Sequence, residues 1–203
     1  MPEEIVTGKD NTAVIILAAG FSSRMQTPKP LLAYDAHQLF IEKILAEYLS
    51  WGCGEIVVVV NEALGVWVNS LQKGTENISF VVNHHPELGR FHSLKLGLTQ
   101  LKQTGYCFIQ NVDNPFVNQD LLDQLFMIRG ENYFVKPVYQ QKGGHPVLLN
   151  KNDLVFLRSH QETEANLREL LDGRKCHHLE VADPDILINI NTHEEYTQII
   201  KNR

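Results

Sequence analysis

The chain of 203 residues is short of cysteine, of positive charge and of long apolar runs, and each shortage excludes something. Its three cysteines, Cys53, Cys107 and Cys176, are odd in number and far apart. They form neither a disulfide framework nor a zinc-ligand spacing, and they point to a reducing compartment, taken here as cytoplasmic. No segment approaches the ~18 uninterrupted apolar residues of a membrane span, so no membrane partner is expected. Twenty-four acidic against 18 basic residues give a formal net charge of −6. That excludes an overall basic field for nucleic acid, and any anionic ligand must be held by local cations. Met1–Asn11 is polar and acidic, lacks the apolar core of a signal peptide, and reads as a short tail before a domain spanning 12–203. No internal repeat, low-complexity tract or long linker divides the rest, and its length allows one large core.

What is present is an alternation of apolar strands and amphipathic helices. Strands are expected at Ala13–Leu17, Glu55–Asn61, Ile78–Asn83, Tyr106–Gln110, Tyr133–Val138, His145–Leu149 and His177–Val181. Helices are expected around Ile41–Leu49, at Ala63–Gln72, Ser93–Gln103, Leu121–Phe126, Leu167–Leu171 and Glu194–Lys201. This order predicts a single-domain, three-layer α/β/α fold with a mostly parallel, Rossmann-like sheet. In such sheets ligands sit at the C-terminal strand ends, beside a switch in strand order.

The stretch that organises the chain is Leu17–Leu32, directly after the first strand. Ala18, Ala19, Gly20, Ser22 and Ser23 are small, so backbone N–H groups can approach a ligand. Arg24 and Lys29 add two cations close to those amides, which suits a polyanion such as a triphosphate. It is not a P-loop, because no Gly-Lys-Ser/Thr is present, and a single Gly excludes the dinucleotide fingerprint. The plain alternative is a surface turn with two incidental cations.

This stretch resembles the signature loop L-A-(A/G)-G-x-S-x-R-M-G-x-x-K-x-L of a nucleotidyltransferase family. Leu17, Ala18, Gly20, Ser22, Arg24, Met25, Lys29 and Leu31 match, and Gln26 stands where the pattern has Gly. Phe108–Val117 is similar to the family's strand ending in Asp-x-Pro, through Asp113, Pro115 and Val117, with Asn111 in place of a common Gly. Ile188–Tyr196 resembles its C-terminal Asn/Asp-Ile-Asn/Asp-Thr-Pro-Glu segment, with His193 replacing the Pro. Asn83–Leu98 resembles the segment beside the nucleobase, and Gly144-His-Pro-Val147 a strand of the molybdenum-cofactor cytidylyltransferase-like branch, in which Gly143 stands where Arg is usual. The resemblance, to the MobA/MocA-like NTP transferases, runs from Ala13 to about Tyr196.

It implies a fold of the nucleotide-diphospho-sugar transferase type and an EC 2.7.7-type enzyme. Such an enzyme attacks the α-phosphorus of a nucleoside triphosphate with a phosphorylated small acceptor, such as molybdopterin, and expels pyrophosphate. Arg24 and Lys29 are then expected to hold the triphosphate, with Leu17, Ala18, Ala19, Gly20 and Ser22 around it. Gly89 and Ser93 are expected in the base pocket and His145 near the acceptor. Magnesium is expected on Asp113, with Asn191 as a weaker, uncharged second ligand. Ala19 at the middle loop position leans toward CTP. Each residue also has a structural reading. Asp113 caps a turn before Pro115, Ser93 caps a helix, and Asn191 or Thr192 caps the last helix with Glu195 completing a capping box. His145 is a satisfied structural histidine, Arg90 touches phosphate or is merely solvated, and Arg168 lies on a solvated face. Two other functions stay open: a sugar-1-phosphate nucleotidyltransferase, and a non-catalytic nucleotide-binding regulator suggested by Gln26, Asn111, Gly143 and His193.

Overall fold

Thr12–Ala18 forms strand β1 and is buried along its whole length. In a strand successive side chains face opposite ways. Val14, Ile16 and Ala18 therefore pack into one core, and Ala13, Ile15 and Leu17 into another. A strand apolar on both faces belongs at the centre of a sheet covered on both sides. The computed structural model, which describes residues 8–25, 27–65, 67–68, 76–102, 105–162 and 164–200, puts β1 there.

The other strands are β2 (Glu55–Val60), β3 (Ile78–Val82), β4 (Tyr106–Asn111), β5 (Phe134–Tyr139), β6 (Lys142–Gly143), β7 (Val147–Asn150) and β8 (Cys176–Glu180). They lie in the order β3-β2-β1-β4-β7-β5-β6, with β8 paired to β5. Pairing is parallel for β1–β2, β1–β4, β2–β3 and β5–β8, whereas β7 runs antiparallel to both β4 and β5. The expected mostly parallel α/β/α sheet is thus present. The chain leaves β1 for β2 on one side and returns to β4 on the other, so a crevice opens where β1 and β4 end. The register sets Leu17 opposite Asn111 at that point.

On one face lie α1 (Phe40–Trp51) and α3 (Gln119–Met127), which bury Ile41, Ile44 and Tyr48, and Leu121, Leu122 and Leu125. On the other lie α2 (Gly89–Gln100), α4 (Lys151–Ser159) and α5 (Leu167–Asp172); α6 (His193–Ile200) closes the described chain. Helix α2 crosses the sheet at Gly97, where a Cβ would lie 2.6 Å from Ile15 Cγ2 and 3.1 Å from Val59 Cγ2. Among the described residues no helix is long and apolar enough to cross a membrane.

Several expectations are corrected. Helix α2 starts at Gly89 rather than Ser93, because Gly89 turns the chain with φ +89°, a value that favours glycine. Ser93 is therefore inside the helix and is no cap. Helix α4 was not expected. It begins directly after β7, with Asn150 and Asp153 forming a reciprocal capping box and no loop to announce it. Strand β6 was also missed. Its hairpin turns on Gln140 and Gln141, at φ 47° and 65°, where Asn-Gly would have been the legible signal. The strand expected from His145 starts at Val147. Of the expected tail, residues 1–7 lie outside the described residues, while Lys9–Asn11 makes a 3-10 turn with Lys9 over the Trp51 ring. Of the expected helix Ala63–Gln72, Gly65, Trp67 and Val68 are helical after the 3-10 turn Glu62–Leu64, and residues 66 and 69–72 lie outside the described residues. Gln103 and Lys201, the expected ends of two helices, also lie outside them.

Candidate active site

The loop after β1 is held from outside and from within. Asn61, just past β2, donates from Nδ2 to the carbonyls of Ala19 and Gly20 at 3.2 Å each. Ser22, at φ 52°, accepts at its carbonyl from Met25 N at 2.7 Å and at Oγ from Lys29 N at 3.0 Å. Ser22 thus shapes the loop, while Gly20 faces open space. Arg24 is exposed on the loop, and Gln26 lies outside the described residues.

Lys29 opens a 3-10 turn between Pro28 and Pro30 and turns inward, its side chain 14% exposed. Its Nζ donates to Asn191 Oδ1 at 2.7 Å and lies 3.7 Å from Asp113 Oδ2. Burial pushes the Lys29 pKa below the ordinary lysine range. Asp113 opposes that shift, while Arg24 and Arg90 add to it. The ammonium is poised between solvent and carboxylate, with spare capacity for an anion.

Asp113 follows β4 in a tightly tied turn. Gln110 Nε2 donates to the carbonyls of Asn111 (2.9 Å) and Asn114 (2.8 Å), and Asn114 Nδ2 donates to those of Asp185 and Ile186. Ile190 N donates to Asp113 O at 2.8 Å, which draws the C-terminal segment alongside. Asp113 Oδ2 faces Lys29 and, at 3.8 Å, Arg90 Nη2. Its Oδ1 is buried and has no hydrogen-bond partner. Leaving such an oxygen unpaired costs ~1–3 kcal/mol, so it marks a place built for a ligand. Asn191 is held through its backbone N–H to Glu195 Oε2, and Thr192 and Glu195 cap each other at the start of α6. The capping role is present, and with Asn191 Nδ2 donating to Asn189 O at 3.1 Å it leaves Oδ1 to accept from Lys29.

On the α2 side, Asn83 is fully buried; it donates to Ser93 Oγ at 2.9 Å and accepts from His85 N at 2.8 Å. It fixes the turn into α2, so that Gly89, Arg90 and Ser93 face β1. Leu17, Ala18, Ala19, Gly20, Ser22, Arg24, Lys29, Gly89, Ser93, Asp113 and Asn191 line one cavity of about 370 Å³. Phe21, Ser23, Pro30, Pro86, Arg90, Asn111 and Val112 complete it. His145 is not on that lining. It stands behind Asn111, whose Nδ2 is 2.8 Å from His145 Nε2. Burial first, and then Arg90, push the His145 pKa down to about 4, so the ring is neutral near pH 7. Arg168 is exposed on α5. Asn83 opens the segment that resembles the family's base-side stretch, whereas Asn61 was not singled out in the sequence; it is a lone amide ending an apolar strand, which is the signal that could have found it.

The arrangement offers mixed charge around one carboxylate. Among the described residues no group of three His, Cys, Asp or Glu side chains is placed to hold a metal ion. Magnesium fits such a lining, because it keeps waters and takes one or two protein oxygens plus phosphate oxygens, and the orphaned Asp113 Oδ1 is such an oxygen.

The family description "MobA-like NTP transferase domain" matches residues 14–181. A probable molybdenum cofactor guanylyltransferase from Clostridium perfringens is 24% identical over 93% of this chain and 96% of its own. A 2-C-methyl-D-erythritol 4-phosphate cytidylyltransferase from Azobacteroides pseudotrichonymphae is 26% identical over 72% of this chain and 67% of its own. Among solved structures, Rv0371C of Mycobacterium tuberculosis in complex with manganese superposes with a TM-score of 0.76 at 16% identity, covering 95% of this chain and 100% of that one.

Proposed function

The chain belongs to the MobA-like NTP transferase family and is a nucleotidyltransferase, and on that premise we propose that it transfers a nucleoside monophosphate, CMP by preference, to the phosphate of a small acceptor. An acceptor oxygen bonds to the α-phosphorus as the bond from α-phosphorus to its bridging oxygen breaks, and pyrophosphate leaves. The observation that carries this reading is Lys29 held 3.7 Å from Asp113 where β1 and β4 part. Asp113 would hold magnesium, and Asn191, whose Oδ1 already accepts from Lys29, would offer only a second lone pair. The ion, when bound, supplies charge neutralisation on the phosphate oxygens. The chain's own cations do the rest. Lys29 meets the charge that develops during transfer, and Arg24 and Arg90 hold the outer phosphates, since this chemistry is mainly positioning and electrostatics. No protein nucleophile is required.

CTP is inferred from the resemblance alone, in which Ala at the position of Ala19 goes with the cytidylyl branch and Gly with guanylyl relatives; Ala19 itself lines the cavity. The C. perfringens relative supports a second reading, GTP. Its name also makes molybdopterin one acceptor to try; the cytidylyltransferase relative adds a sugar-alcohol phosphate. The free thiols Cys53, Cys107 and Cys176 suit a reducing cytoplasm. Pyrophosphate release, measured with the four common triphosphates, magnesium and a panel of phosphorylated acceptors, tests all of this. Turnover with CTP is expected. Preference for GTP overturns the base assignment alone, and release with no combination overturns transfer in favour of a binding regulator.

A further inference from the structure

Off the cavity lining, yet near enough to help lower the His145 pKa, lies a cation that the transfer chemistry described so far does not use. Lys136 is in the middle of β5 and partly buried. The hairpin at Gln140 and Gln141 folds β6 back so that Val138 pairs with Gly143, and Gly144 N then donates to Pro137 O at 2.8 Å. This sets Gly143 beside Lys136. A Cβ at Gly143 would overlap the Cε and Nζ of Lys136, so the lysine lies across the space that any other residue's side chain would take. Among the described residues no carboxylate lies within ion-pair distance of Lys136 and no hydrogen bond engages its ammonium. Its charge acts to lower the pKa of both His145 and Cys176. His145 is neutral near pH 7 and touches Asn111, which lines the cavity. An ammonium with no counter-charge has its donors open to an incoming anion, and a charge-assisted hydrogen bond to phosphate is stronger than a neutral one.

We propose that Lys136, seated over Gly143, is a specificity-determining residue that receives an anionic group of the acceptor, which approaches from the cavity past Asn111 and His145. The inference rests on the transferase reading, because that reading supplies a phosphorylated acceptor. It also gives Gly143 a reason: the position holds a neighbour's charge instead of its own side chain. The acceptor thus meets Lys136 on the β5 side, while the triphosphate meets Lys29 and Arg24 on the β1 side.

The test does not need the natural acceptor. The full chain is saturated with magnesium and the α,β-methylene analogue of CTP, which blocks transfer and fills the triphosphate site, and inorganic phosphate is then titrated by calorimetry. Lys136→Met keeps the methylenes and removes the charge; it is expected to raise the phosphate Kd at least fivefold and to leave the analogue's Kd within twofold. Gly143→Ala, which pushes the lysine aside, is expected to weaken phosphate similarly. Lys136→Arg is expected to restore binding to within about threefold of wild type. If the analogue binds but Lys136→Met and wild type respond to phosphate alike, including no response from either, the Lys136 site is wrong and the transferase reading stands. If the analogue and the four natural triphosphates all fail to bind wild type, the transferase reading falls and this inference falls with it.

Discussion

Replacing Lys29 by Met separates catalysis from stability at one atom. The change removes the ammonium and keeps the methylene chain. Three interactions are lost with it: the 2.7 Å hydrogen bond to Asn191 Oδ1, the approach to Asp113 Oδ2 at 3.7 Å, and the cation offered to the triphosphate. A hydrogen bond to a charged group contributes ~1.5–3 kcal/mol, which by itself would make the variant unstable. The lowered pKa of Lys29 says otherwise, because burial outweighs Asp113 and the folded protein holds the charged form at a cost. The two effects oppose each other, and stability is expected to change by less than ~1 kcal/mol. Nothing offsets the loss in the transition state. Removing one group that stabilises developing charge costs ~2.7–4 kcal/mol, so turnover is expected to fall by about 10²–10³-fold. Urea denaturation and pyrophosphate release, measured on the same preparation, give the two quantities. A variant that keeps turnover within threefold of wild type takes Lys29 out of the mechanism. One that loses turnover only in proportion to its folded fraction makes Lys29 structural.

The same lysine predicts an alkaline limit: activity should fall as pH rises through a Lys29 pKa below the ordinary range, and Lys29→Arg should move that limb upward. Asp113→Asn should raise the magnesium needed for half-maximal rate by at least tenfold, while Asn191→Ala should lower the rate with little change in that requirement; an unchanged magnesium curve for Asp113→Asn puts the ion elsewhere. His145 is held down to about 4. Between the ordinary imidazole range and that value the unfolded chain therefore binds a proton the folded chain does not, so stability should drop as pH falls through that window. His145→Gln should flatten the drop in urea midpoints against pH. Gly97→Ala should destabilise by ~1–3 kcal/mol despite alanine's better helix propensity, because the new Cβ meets Ile15 Cγ2 at 2.6 Å; a raised melting temperature would show that α2 can lift off the sheet.

The local sequence determined the elements that announce themselves by composition. Val14, Ile15 and Ile16 could only be a buried strand, and the small residues with Arg24 and Lys29 behind it could only be an open loop with charge. Asp113 and Asn191 were singled out through the family segments they match, Phe108–Val117 and Ile188–Tyr196, since their local surroundings read equally as a turn and a helix cap. Three-dimensional proximity was not legible. Lys29 and Asn191 are 162 residues apart, and their hydrogen bond exists because Ile190 N is tied to Asp113 O. Ser93 read as a cap because helix starts are inferred from side chains, whereas the start at Gly89 is decided by a backbone angle. The Gln140–Gln141 turn carried no signal because glutamine tolerates a left-handed angle only when the strands on either side enforce it. Lys136 was one more strand residue until that hairpin laid Gly143 beside it. Periodicity and residue type act within a few positions, so they fix strands, helices and loops. Which charges face one another is set by sheet order and register, and those are properties of the packed chain alone.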